Sequence, residues 1–118
     1  MKRLLAVHFS LTLLLCACAT NDAALQAATA VAQVETATIP SFVAWDRQHQ
    51  MDIVAKHKGD VAGGQAELAD YRKKRDAIVA TLTLLEKSAA DGKIADVHAL
   101  FAQLWSLLHA IGYTPGGL

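Results

Sequence analysis

Residues 68–89, LADYRKKRDAIVATLTLLEKSA, decide the fold class. Leu68, Tyr71, Arg75, Ile78, Leu82, Leu85 and Ala89 recur at alternating spacings of three and four residues. That rhythm places all of them on one stripe of a helix, with the period of a coiled-coil seam. The stretch contains neither Gly nor Pro, and Asp91-Gly92 ends it. Arg75 is the one charge on an otherwise apolar seam.

Downstream, Ile94, Val97, Phe101, Leu104, Leu108 and Ile111 keep the same rhythm, which predicts a helix over 93–111. Leu100, Trp105 and Leu107 widen its stripe, so this helix is expected to touch more than one neighbour. Gly112 is its stop, and residues 113–118 read as a flexible C-terminal tail. Upstream, residues 22–58 read as helix, alanine-rich over 23–37, with Asn21 or Asp22 as N-cap and Gly59 closing it. Pro40 lies in the middle of this run. Proline is tolerated in a first helical turn but not in an interior, so a kink or break is expected at Thr38–Ile39.

No segment alternates as a strand would. The links, Gly59 to Gly64 and Asp91 to Lys93, are short, which favours antiparallel neighbours. The expectation is an all-α, up-down-up antiparallel helical bundle of three main helices over residues 19–112, the first interrupted near Pro40. The helices are long for their content of large apolar residues, so a homo-oligomer is part of the expectation.

The first twenty residues have another character. Lys2 and Arg3 precede an apolar run from Leu4 to Leu15, followed by Cys16-Ala17-Cys18-Ala19-Thr20. A cationic start, a dozen apolar residues and small residues after them form a secretory signal, here residues 1–18. The run is too short to span a bilayer, which takes about 20 apolar residues. Leu15-Cys16-Ala17-Cys18 resembles the lipobox of bacterial lipoproteins, with Cys16 an atypical second-last residue. The resemblance implies diacylglycerol on the Cys18 thiol and a cut just before it. Ala19, where an Asp favours inner-membrane retention, then implies the periplasmic face of the outer membrane. Ala17-Cys18-Ala19 also satisfies ordinary signal cleavage, which would release a periplasmic chain starting at Thr20. No Cys follows Cys18, so the bundle has no disulfide.

The full chain carries no formal net charge; without Lys2 and Arg3 it is slightly acidic. Such a balance gives no field to steer nucleic acid. The basic run Arg72-Lys73-Lys74-Arg75 spreads around a helix and is flanked by Glu67, Asp70 and Asp76. Pairs Asp70–Lys74 and Arg72–Asp76 explain it better than contact with anionic lipid head groups.

In a hairpin that turns near residue 60, Asp46 falls opposite Arg75. Two opposite charges on facing seams can fix register, so a structural ion pair Asp46–Arg75 is expected. The competing rotation of the first helix puts Trp45 inside and Asp46 in water.

His49, His57, His98 and His109 invite a metal reading. Asp46-x-x-His49 has the spacing of di-metal bundles, but there is no second copy, and no two His lie four apart. No metal and no cofactor is expected; haem through Met51 has nothing else to support it. The Gly59–Gly64 segment lacks the Gly-Lys-Ser/Thr ending of a phosphate loop. Ser41, Ser88 and Ser106 have no nucleophile context, so no catalytic residue is expected. Together these features point to a small envelope lipoprotein without enzymatic activity. It would act as a helical adaptor presenting Trp45, Trp105 or the tail to an envelope protein. The alternative is a periplasmic bundle that binds a small apolar ligand among Phe42, Trp45, Phe101 and Trp105.

Overall fold

The computed structural model describes residues 22–115; residues 1–21 and 116–118 lie outside it, and with them the signal segment and Cys18. The described residues form four successive α-helices: α1 (Asp22–Gln33), α2 (Ile39–Lys56), α3 (Val61–Ala90) and α4 (Ile94–Ala110). A π-helical segment, Val34–Thr38, joins α1 to α2 without leaving helical conformation. The architecture is an all-α bundle in which α1 and α2 form one long helix, antiparallel to α3, with α4 folded back on α3.

The interruption near Pro40 therefore takes a different form from the expected break at Thr38–Ile39. Both residues hold ordinary helical angles. Proline has no N–H and its ring crowds the carbonyl one turn back. The chain accommodates this by widening the preceding turn, so that the Ile39 N–H donates to the Val34 carbonyl, five residues back. The widened turn also rotates α1 relative to α2. Ala27, Val31 and Val34 then face α3 and α4 while Phe42 and Ile53 remain buried below them. The alanine-rich leader is packed along the bundle.

The core follows the seam. Tyr71, Ile78 and Leu85 from α3 meet Val97, Leu104 and Leu108 from α4, and Ile78 is completely enclosed. Burial of side chains of this size stabilises by roughly 1.5–3 kcal/mol each. Phe101 on the α4 stripe and Leu100, Trp105 and Leu107 on its flanks are half-buried, and α4 touches both α3 and α1.

Two glycine turns set the ends of the hairpin and of the bundle. Gly59, at φ +98°, closes α2 and reverses the chain into α3, whose N-cap Asp60 accepts a hydrogen bond from the Gly63 N–H at 3.0 Å. Gly112, at φ +83°, closes α4, and the Tyr113 N–H donates to the Leu108 carbonyl at 3.0 Å. This glycine cap turns the chain inward. Tyr113 is 3% exposed, packed edge-on against Phe42 and Trp45, and its hydroxyl donates to Ser41 Oγ at 2.9 Å. The expected boundary of bundle and flexible tail at Gly112 is thus displaced: Tyr113 is a core residue.

Candidate functional site

The α2–α3 hairpin carries the polar residues singled out in the sequence. Asp46 lies half-buried on α2 and faces α3. The structure places Arg75 Nη1 3.9 Å from Asp46 Oδ2, at the outer limit of an ion pair. The shorter contact to the same carboxylate comes from Tyr71, whose hydroxyl donates to Asp46 Oδ1 at 2.5 Å. Gln50 Nε2 donates to both carboxylate oxygens at 3.2 Å. Burial, then the neighbouring Asp46 carboxylate, push the Tyr71 phenol well above its usual pKa, with Arg75 opposing. The phenol therefore stays a donor throughout the physiological range. Tyr71 stands one turn before Arg75 on the seam, and its apolar body counted it as core in the sequence; its hydroxyl was the overlooked signal.

Trp45 is half-buried beside this cluster. It stacks on His49 with ring centroids 4.5 Å apart and meets Tyr113 at 5.4 Å. Both the Trp45 and the Asp46 side of α2 thus turn inward together, and Trp45 is not presented for docking. His49 is held by two aromatic rings, Trp45 and Tyr71. His98 and His109 are exposed on α4. Among the described residues no cluster of His, Cys, Asp and Glu suits a metal ion.

A second cluster, which sequence spacing gave no reason to expect, closes the hairpin. His57 Nε2 lies 2.5 Å from Glu67 Oε2, and its Nδ1 lies 3.5 Å from Asp60 Oδ2. Lys56 Nζ reaches Glu67 at 3.0 Å. Gly64 allows the approach, since a Cβ there would stand 3.1 Å from the His57 Cβ. The Gly63 N–H and then His57 hold the Asp60 carboxyl below its ordinary range; His57 first and Lys56 second do so for Glu67. The basic run resolves into separate roles. Lys74 pairs with Asp70 at 2.7 Å, Arg75 Nη2 with Asp76 at 3.3 Å, and Arg72 Nε donates to Gln50 Oε1 at 3.3 Å. Arg72 thus turns to Gln50 across the hairpin rather than to Asp76.

The face of the hairpin opposite these buried rings is open and apolar. Met51, Val54, Ala55 and Leu68 line a shallow groove of about 360 Å³, with Gln50 and Arg72 at its edge. It continues past Val54 and Leu68 into a hollow of about 310 Å³ toward Lys58 and Val61. Met51 and Val54 are 59% and 58% exposed, well above what a covered helix face would show. A separate cleft of about 220 Å³ lies between the π segment and α4, lined by Gln33, Val34, Thr38, Phe101 and Trp105. The four aromatics expected around one ligand are therefore divided. Phe101 and Trp105 share this cleft, whereas Phe42 and Trp45 pack on Tyr113.

No described helix is long and apolar enough to cross a membrane. Comparison with known proteins finds no matching family, no matching curated protein and no matching solved structure.

Proposed function

We propose that this chain is a small non-enzymatic helical adaptor of the bacterial cell envelope, tethered to a membrane through lipid on Cys18. The observation that carries the adaptor reading is the open groove on the hairpin, where Met51 and Val54 stand more than half exposed beside Leu68. Apolar side chains gathered in one concavity differ from the isolated exposed residues common on any surface. The docking surface is this groove, rather than Trp45 or the tail. The tether rests on the lipobox-like Leu15-Cys16-Ala17-Cys18. Its test is the intact mass of the chain recovered from membranes. A species beginning at Cys18 with added diacylglycerol and acyl mass supports the tether. A bare chain beginning at Thr20 rejects it and leaves a free periplasmic protein.

The cleft at the π segment favours a second reading, a site for a small apolar ligand. Widened turns recur at functional sites, and Phe101 and Trp105 provide an aromatic wall. At about 220 Å³ the cleft is smaller than the 300–1,000 Å³ of ordinary ligand pockets, so only a small molecule fits. Tryptophan fluorescence with small hydrophobic probes tests it: a saturable shift lost in Trp105→Phe supports the site, and no shift removes it.

A further inference from the structure

We propose that the cleft at the π segment binds a neutral, planar aromatic molecule of one or two rings carrying a single N–H or O–H group, as indole and phenol do. The proposal rests on the ligand reading of that cleft and names the ligand's chemistry. It starts from Thr38. Thr29, Thr36, Thr81 and Thr83 each donate to the carbonyl four residues back, at 2.8, 2.8, 2.9 and 3.1 Å. Among the described helical threonines, Thr38 alone has a hydroxyl without a hydrogen bond. In a regular turn the carbonyl four residues back receives both the N–H and the hydroxyl of a threonine. Here that carbonyl belongs to Val34 and is drawn to the Ile39 N–H by the widened turn.

Thr38 is only 7% exposed, so its hydroxyl is a polar group held inside the bundle without a partner. A group in that position gains from any hydrogen bond brought to it. No fully enclosed side-chain polar atom among the described residues lacks a partner, so the Thr38 oxygen is not sealed in and opens onto the cavities it borders. One of these is an apolar hollow of about 10 Å³, with room for a single water at most. The other is the cleft, from which a ligand can reach it.

The walls select the rest of the molecule. Phe101 and Trp105 stand one turn apart on α4 and line the cleft. Phe42, Trp45, Tyr71 and Tyr113 all pair with other rings, whereas neither Phe101 nor Trp105 does so among the described residues. A ring between them would gain contacts that an alkyl group of equal area would not. A dry cavity of about 150 Å³ takes benzene, so about 220 Å³ takes one ring or two fused ones. No charged side chain lines the cleft, and an ionised ligand would lose its hydration without compensation there.

The test compares indole with indene, which has the same shape but no N–H, and with cyclohexanol, which has the hydroxyl but no aromatic ring. The full chain in detergent, labelled with nitrogen-15, contains two tryptophans, and Trp105→Phe assigns their side-chain N–H resonances. The expected result is a saturable shift of the Trp105 resonance with indole while that of Trp45 stays in place. Indene should bind about tenfold more weakly. Thr38→Val should bring indole to the level of indene and leave indene unchanged. Because this hydroxyl has no partner within the chain, Thr38→Val should not lower the urea midpoint, a readout that needs no ligand. Any of five outcomes overturns the proposal. Absence of a shift with all three probes removes the ligand reading of the cleft as well. Equal binding of indole and indene, or a preference that survives Thr38→Val, removes the hydrogen bond and leaves an apolar site. Cyclohexanol binding as tightly as indole removes the aromatic requirement. A shift produced by raising detergent alone assigns the cleft to an alkyl chain. A lowered midpoint in Thr38→Val shows that the hydroxyl already serves the fold.

Discussion

Tyr71 and Asp46 meet across the α2–α3 hairpin, with the phenol donating to the carboxylate at 2.5 Å while Arg75 stands 3.9 Å from the same group. The neutral donor, rather than the cation, makes the close contact. A half-buried carboxylate needs its hydrogen bonds met more than it needs a distant charge, because an unsatisfied buried group costs about 1–3 kcal/mol.

Tyr71→Phe is therefore expected to destabilise by about 1–3 kcal/mol, and Arg75→Met by less than about 1 kcal/mol. Urea unfolding read by helical circular dichroism gives both values. A double-mutant cycle with Asp46→Asn should show stronger coupling to Tyr71 than to Arg75. The reverse order would return the leading role to the ion pair.

Tyr113 closes the aromatic group of Phe42 and Trp45. Tyr113→Ala should cost about 3–5 kcal/mol, in the range of large-to-small core changes, and should alter Trp45 emission. An unchanged unfolding midpoint would show that the residue past Gly112 is dispensable.

The hairpin clamp makes acid stability depend on His57. The folded-state pKa of Asp60 and of Glu67 lies below the ordinary values of 3.8 and 4.5. Depressed carboxylates add stability above their unfolded pKa and lose it as pH falls through the folded one. The contribution is thus complete above about pH 5.5 and declines below that toward strongly acid pH. In His57→Gln the urea midpoint should fall less steeply between about pH 5 and about pH 3 than in the parent chain. Equal slopes would mean that the carboxyls are held down by other groups.

Deleting one residue from the π segment tests why it is there. Loss of Thr36 together with Pro40→Ala should convert Val34–Thr38 to ordinary α-helix with a change in stability of less than about 2 kcal/mol. With Pro40 retained, the same deletion places the proline ring inside a regular turn, at a cost of about 3 kcal/mol. Comparable unfolding of the two deletion variants would exclude proline as the cause.

Much of the bundle was legible because its signals are periodic. The seam from Leu68 to Ala89 and that from Ile94 to Ile111 locate α3 and α4, and Gly59, Gly92 and Gly112 are all found at positive φ. Pro40 was legible as a disturbance but not as a π turn, because the choice between breaking a helix and widening it depends on whether α1 finds a surface to pack on. Tyr113 was missed because Gly112 announces the end of a helix, and nothing local says that the chain then turns back to Phe42. The face opposite Asp46 was missed for a related reason. Periodicity finds the residues a helix buries, whereas Met51 and Val54 fall outside the stripe and become visible only when the neighbour that fails to cover them is known.

The unbroken helical run from Asp22 to Lys56 also sets a distance. Thirty-five residues at 1.5 Å each make a strut of about 5 nm, with Asp22 at one end and the hairpin turn at the other. Cys18 precedes that strut by only four residues. In a tethered chain the acyl chains and the groove would thus lie toward opposite ends of this strut, and the length of the helix would set how far from the lipid the groove can stand.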